Sequence, residues 1–600
     1  MTDSQKNFSI RFGLISLLLL GVYANTLNHQ FVWDDLEIIV KNSFLESFAN
    51  IPTFFLSADK IEHAVGYYRP LTCVSFAIDR AMWGLNPVGF NVTNLLLHII
   101  VALVFYKVVV ALFHRENLAF VATLIFSLHP MAGEVVNFHS GGRNTLLCAC
   151  FALLSLLFYI KKNTLFSLLC FTLAIFSKEF GLLMPLAFLL YDRIVASEKR
   201  SWRVYFLALI PIACYFILRT IAVGKGNLFE SANLLFGILY TPEAVVTYAK
   251  NMMFPWLLKT IYDKYYDISL LRFVIAVSAC LGLAGVAILF RKKKELIFSI
   301  IWFLLFLLPV TNIVPLGVAL TADRYAYFSL FGFSIALAYC VCLTDKWISV
   351  TVMVLISMFY ITIDITRNNA WKDEVALFTQ MTKDAPERNI GFRNLAGYYF
   401  QNKDYDNADK YLTLACGKKD ADGKMLVSSS NMFREMKKYE KALHALSMMT
   451  ELEPQNPQPL ILMSRIYDEM GDKRTAEGYR QQAVALSPEI FDLLKRSAVS
   501  ACRDGETLLS KRRLQEAERR FRESLSMEPD FVPALVGMGR IAAERGDSDE
   551  SLKYLVQAKM LDPVNPAVHY NLSLVYRMQG KTAEAEEEMK KRLKLLRVER

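Results

Sequence analysis

The sequence predicts an all-α protein in two parts. A polytopic membrane bundle of about eleven spans occupies residues 1–365, and a helical solenoid occupies 390–600 beyond a junction at 366–389. Three observations predict this. Mean hydropathy is +0.29 with 54% apolar residues, above what a soluble chain of 600 residues carries. Charge is unevenly divided: residues 1–365 hold 28 Lys+Arg and 21 Asp+Glu, and the shorter remainder holds 39 and 36. The polar part also repeats with a period of 34 residues.

A hydrocarbon layer of about 30 Å takes roughly 20 apolar residues as helix. Apolar stretches fit spans near 9–27, 92–113, 117–130, 144–160, 164–178, 180–195, 203–222, 270–290, 295–310, 326–343 and 347–364. The first is read as retained, because Ala24-Asn25-Thr26 is a poor cleavage site. With Lys6 and Arg11 cytoplasmic, alternate loops are basic: Arg115, Lys161-Lys162, Arg193 to Arg203, Arg291 to Lys294, and Lys346. The pattern holds only if the stretch 243–261, broken by Pro255, lies in the plane of the outer face. Eleven crossings then leave the C-terminal part outside, in periplasm or lumen. Two long outer loops, 28–91 and 223–269, are placed to shape a site.

The net charge of +10 divides into +7 and +3, and no dense basic stripe with aromatics suggests nucleic acid. Eight of ten cysteines precede residue 345, and no CxxC pair suggests zinc or a disulfide framework. No GxGxxG, P-loop, nucleophile elbow, HExxH or EF-hand loop is present.

In the polar part Ala408, Ala442 and Ala476 are 34 residues apart, as are Ala517, Ser551 and Ala585 after an insertion. Small residues at this spacing let antiparallel helices approach. Pro454, Pro488, Pro529 and Pro563 close second helices, because proline has no N–H to donate and clashes with the preceding turn. Tyr399, Tyr467 and Tyr576 hold a first-helix aromatic position, and Gly471, Gly546 and Gly580 mark turns. This resembles the tetratricopeptide repeat, in about six copies. Such a solenoid offers a groove for an extended peptide; a spacer or self-association module is the alternative.

Chemistry is sought on the outer side. Asp34 and Asp35 follow the first span, where one carboxylate can act as general base and the other tune it; solvated loop acids are the plain alternative. Arg69, in Tyr67-Tyr68-Arg69-Pro70, can hold a phosphate through a two-pronged contact. His129 and Glu134 close the third span and Arg143 opens the fourth, as a polar cap or part of a site. They are too few for a metal centre. Lys178-Glu179 and Arg324-Tyr325 place further charges at span ends, where ionisable groups are functional candidates and snorkelling is the alternative.

These motifs together resemble the transmembrane and tetratricopeptide-repeat-containing O-mannosyltransferases, within the C-type glycosyltransferases. The matching stretches are Phe31-Val32-Trp33-Asp34-Asp35, Tyr68-Arg69-Pro70-Leu71, Gly89-Phe90-Asn91 through Asn94 and His98, His129-Pro130 with Glu134, and Gly142-Arg143. Ser177-Lys178-Glu179-Phe180-Gly181, Ala322-Asp323-Arg324-Tyr325, and Arg367-Asn368 to Trp371 with Leu377-Phe378 complete them. The resemblance implies an inverting transferase that moves a sugar, mannose in the family, from a polyprenyl-phosphate donor to Ser or Thr of an exported polypeptide held by the repeats. It implies Asp34 as base with Asp35 as runner-up. Arg69, Arg143, Lys178 and Arg324 would face the leaving phosphate, and His129, Glu134, Glu179 and Tyr325 would orient cations or sugar. No cofactor beyond the lipid-linked donor is expected, and a divalent metal is left open, leaning to none. The short loop 223–242 and the lack of a convincing glycosylation sequon at Asn91 or Asn571 favour a bacterial inner membrane over the endoplasmic reticulum. A lipid or surface polysaccharide as acceptor is one alternative, and a non-catalytic repeat scaffold is another.

Overall fold

A computed structural model of the chain describes residues 3–57, 67–196, 202–223, 234–262, 270–311, 321–487 and 489–598. Among these residues every regular element is helical. Parts of both long outer loops, and Pro488, lie outside the described residues. The chain divides into two compact units, Met1–Asn402 and Lys403–Arg600.

In the first unit five helices are long and apolar enough to cross a membrane: Pro87–Phe113, His139–Ile160, Arg203–Val223, Leu270–Leu289 and Lys346–Trp371. They fit a membrane protein. The other six stretches read as spans are shorter. The apolar part of the first is Phe8–Val22, and Glu116–Ser127, Thr164–Ser177, Met184–Ile194, Lys294–Leu307 and Tyr327–Val341 have 11 to 15 residues each. At 1.5 Å per residue the last five reach about 16–23 Å, short of a hydrocarbon layer, whereas the first belongs to a 20-residue helix, Asp3–Val22. Their ends continue into short turns and helical pieces, Ala132–Asn137 and Glu179–Leu183, that are wholly or partly buried within the unit. Protein-enclosed backbone of this kind is tolerated at membrane depth, because its polar groups find partners inside. The shortness therefore has a use: it places polar residues inside the bundle, among them His129, Glu134 and Lys178.

The core of the unit is aromatic and aliphatic. Phe105, Phe126 and Phe331 meet with ring centroids 4.9 and 4.5 Å apart, among buried Val101, Ala119 and Leu146. The helix Leu234–Met253 touches one group of loops along its length. The Tyr240 hydroxyl meets the Thr321 hydroxyl at 2.8 Å, the Tyr248 hydroxyl donates to the Ala322 carbonyl at 3.2 Å, and the Met252 carbonyl lies 2.8 Å from His129 Nε2. Residues 369–401 belong to this unit. The Thr260 amide and hydroxyl donate to Asp384 Oδ2 at 2.6 and 2.7 Å, and Arg388 donates to the Tyr262 carbonyl at 2.9 Å.

The second unit consists of Tyr405–Cys416 followed by five helix pairs, from Gly423–Glu435 with Tyr439–Leu452 to Pro566–Met578 with Thr582–Val598. Ala408, Ala442, Ala476, Ala517, Ser551 and Ala585 each occupy the fourth position of a helix and are buried. The turns repeat as well. Gly471, Gly546 and Gly580 have φ of +88°, +83° and +74°, and Lys403, Lys437 and Arg512 adopt the same left-handed conformation at equivalent positions. Asp404, Asp472 and Asp547 then cap the following helices by accepting from a backbone N–H three residues on. The seven-residue insertion is absorbed by lengthening one first helix, Glu489–Ser510, to 22 residues against 13 in its neighbours.

Candidate active site

The adjacent aspartates have different surroundings. Trp33 adopts φ +56°, left-handed and costly for a bulky residue, and stacks on Phe138 with centroids 5.7 Å apart. The turn sends Asp35 inward, fully buried. Its Oδ1 accepts the Ser140 N–H at 2.7 Å at the start of the His139–Ile160 helix, and its Oδ2 lies 2.9 Å from His139 Nδ1. The other His139 nitrogen meets Asn91 Oδ1 at 2.8 Å, and Asn91 donates to the Leu27 and His29 carbonyls. Asp35 is thus a clasp between the outer loop and a helix N-terminus, where a carboxylate is favoured. Asp34 faces outward and is exposed. The protein around it still desolvates its carboxyl and pushes it above the usual aspartate range; Arg324 pulls it down and Asp35 adds to the rise.

Arg324 acts on Asp34 and is one of three cations that lie together. Arg69 contacts Glu179 through Nε at 3.3 Å and Nη2 at 3.0 Å, and lies over the Tyr67 ring at 4.2 Å. Arg324 pairs through its guanidinium with Glu134, which also accepts the Arg324 backbone N–H at 3.0 Å. Its guanidinium lies over Phe138 at 5.4 Å and over Tyr325 at 5.1 Å. Lys178 is buried, donates to Thr145 Oγ1 at 2.7 Å, and lies 5.8 Å from the Tyr325 ring centroid. Among the described residues it forms no ion pair with a carboxylate. Arg69 and Arg324 both act electrostatically on Lys178, so the three are neighbours. Burial pushes the Tyr67 phenol up to about 12, leaving it a hydrogen-bond donor at neutral pH. Glu179 and Glu134 balance the two arginines, which leaves one positive charge in excess at Lys178, and such an excess suits an anion such as a phosphate.

The structure therefore brings together Arg69, Glu134, Lys178, Glu179, Arg324 and Tyr325, and sets Asp34 next to this cluster through Arg324. Arg143 and His129 lie elsewhere. Arg143 is fully buried: it pairs with Asp79 at 2.7 Å, donates to Asn94 Oδ1 and the Phe90 carbonyl, and lies over the Phe76 ring at 5.1 Å. Its charge is spent inside the protein. His129 is buried between the Met252 carbonyl and the Met131 N–H, so both ring nitrogens are engaged. Gly142, next to Arg143, holds the helix against its neighbour: a Cβ there would fall 1.9 Å from the Val135 carbonyl oxygen. Thr145 and Asp79 escaped the sequence reading, because a threonine in an apolar run and an aspartate 64 residues from its partner carry no local signal. Among the described residues no three His, Cys, Asp or Glu side chains converge as metal ligands.

A tetratricopeptide-repeat family model matches residues 508–570. Protein O-mannosyl-transferase TMTC3 of Mus musculus is 23% identical across 94% of this chain and 65% of its own length. Along most of its length the chain resembles these transferases. Protein O-mannosyl-transferase Tmtc3 of Drosophila melanogaster is 22% identical across 90% of this chain and 66% of its own. The chain thus spans about two thirds of the length of the curated relatives it matches. Among solved structures YrrB, described as a tetratricopeptide-repeat protein with an unusual peptide-binding site, aligns at 17% identity. The alignment covers 32% of this chain and 95% of YrrB with a TM-score of 0.19.

Proposed function

We propose that the cluster around Asp34 transfers mannose from a polyprenyl-phosphate donor to Ser or Thr hydroxyls of an exported polypeptide, with inversion. One observation carries the reading: an exposed aspartate, Asp34, stands in the field of Arg324, and Arg324 is one of three neighbouring cations from separate loops. Asp34 takes the acceptor hydroxyl proton. The oxygen forms a bond to the anomeric carbon, the bond from that carbon to the phosphate oxygen breaks, and its electron pair leaves with the phosphate. Arg69, Lys178 and Arg324 stabilise the charge growing on that phosphate, and Glu134 and Glu179 hold the two arginines in place. Tyr325 offers its ring to both Lys178 and Arg324 and helps orient them. The cations belong to the protein, and transfer measured with and without a chelator reads any dependence on a divalent metal.

The same reading takes eleven crossings, with the stretch 243–261, which holds the end of the helix Leu234–Met253 and the turn Pro255–Leu257, in the plane of the outer face, the repeats outside, and the acceptor polypeptide held by the repeats. The tyrosine contacts of that helix to Thr321 and Ala322 support its place. For residence we take the bacterial inner membrane. Asn91 is buried and Asn571 lies within a helix, so neither serves as a glycosylation acceptor of the endoplasmic reticulum.

Membranes bearing the chain, given labelled polyprenyl-phosphate mannose, are expected to pass label to protein. Label reaching only glycolipid would replace the acceptor class. No transfer with any polyprenyl-phosphate sugar would leave a repeat scaffold as the reading to pursue.

A further inference from the structure

The helix Arg203–Val223 has one buried stripe: Val204, Ala208, Pro211, Tyr215, Arg219 and Ala222. The rest of its surface is apolar and exposed, as at Phe206, Ile210, Ile217 and Ile221, which suits lipid. Two members of the stripe, one turn apart, are polar. Arg219 is 8% exposed and Tyr215 is 1% exposed, and the Tyr215 hydroxyl has no hydrogen-bond partner. An orphaned buried hydroxyl forgoes the hydrogen bond that buried polar groups ordinarily make. Polar and ionisable groups on a lipid-facing helix are costly and are functional candidates.

Their position says what they serve. The Tyr215 ring packs against Tyr68, centroids 5.5 Å apart, and against Phe176 at 5.7 Å. Tyr68 precedes Arg69, and Phe176 lies two residues before Lys178. The Tyr215 hydroxyl lies in the electrostatic field of Glu179, Arg219 and Arg69 together. The helix therefore closes the lipid side of the cationic cluster, with one unsatisfied donor and one further cation on its inner stripe.

We propose that Tyr215 and Arg219 form the lipid-side wall of the donor site: the Tyr215 hydroxyl donates a hydrogen bond to the phosphate of the lipid-linked sugar, and Arg219 adds positive charge beside it. This rests on the polyprenyl-phosphate donor of the function proposed above. The phosphate of an ordinary anionic phospholipid has the same chemistry, so the test must separate the two sources.

The full chain in phosphatidylcholine nanodiscs is titrated with decaprenyl phosphate, and binding is compared among wild type, Tyr215→Phe and Asp34→Asn. Tyr215→Phe removes one oxygen and keeps the ring packing, and it is expected to weaken binding about tenfold, as loss of a hydrogen bond to a charged group does. Asp34→Asn is expected to bind like wild type while failing to transfer sugar. Phosphatidylglycerol in excess is expected not to compete. Equal binding by Tyr215→Phe and wild type would overturn the assignment, and so would displacement of decaprenyl phosphate by phosphatidylglycerol. Weakened binding by Tyr215→Phe in a chain that transfers no sugar would uphold this wall and sink the transferase reading. Unaltered binding in a chain that does transfer would do the reverse.

Discussion

Asp34→Asn is expected to lower sugar transfer by about 10²–10⁴-fold, the range a positioned general base contributes, with the amount of folded protein unchanged. Asp34 is exposed and its side chain makes no hydrogen bond among the described residues, so the amide removes basicity and little else. Asp35→Asn is expected to behave differently. Asp35 accepts the Ser140 N–H and faces His139, and both contacts hold the outer loop against the His139–Ile160 helix. Its amide would place an N–H₂ against one of those partners. The expected loss is therefore in yield and thermal midpoint, with residual activity tracking the folded fraction. Transfer normalised to the monodisperse fraction in detergent separates the two variants. Equal specific activity of Asp34→Asn and wild type would remove Asp34 from the chemistry.

The second large effect concerns Arg143. In Arg143→Met the Asp79 carboxylate stays buried without its cation, and breaking a buried pair from one side costs about 3–5 kcal/mol. The variant is expected to lose most of its folded fraction in membranes. Replacing both partners, Arg143→Met with Asp79→Leu, is expected to recover much of it, because two apolar groups leave no orphaned charge. A residue that faced the donor phosphate would behave otherwise: Arg143→Met would fold normally and lose only donor affinity. Yield of the single and double variants on gel filtration distinguishes the two roles.

The repeat was plain, because Ala408, Ala442 and Ala476 have a spacing that only stacked helix pairs impose, and all three are buried at helix–helix contacts. Span lengths were less plain. Hydropathy registers apolar residues whether they lie on a helix or on the buried loop beyond its end, so the stretch 180–195 reads as one span although its helix has 11 residues. Within the site, Asp34 and Asp35 are chemically identical in sequence. The left-handed turn at Trp33 separates them, and a non-glycine left-handed residue leaves no mark in a sequence. Arg143 read as a free cation because its partner lies 64 residues away on another helix. Tyr215 and Arg219 were hidden for a related reason: inside an apolar run they read as part of a span, and only the direction of the buried stripe shows that they face the cluster.

The pH dependence of transfer tests the central claim, that Asp34 takes the acceptor proton, most directly. A base must be ionised, so the rate falls as pH drops through its pKa. Desolvation holds that pKa above the ordinary value of about 3.9, with Arg324 limiting the rise. The account predicts an acid limb of unit slope above that value in wild type and in Asp34→Glu, and no such limb in the residual activity of Asp34→Asn. A flat wild-type profile down to the pH at which the protein unfolds, or the same limb persisting in Asp34→Asn, would contradict it.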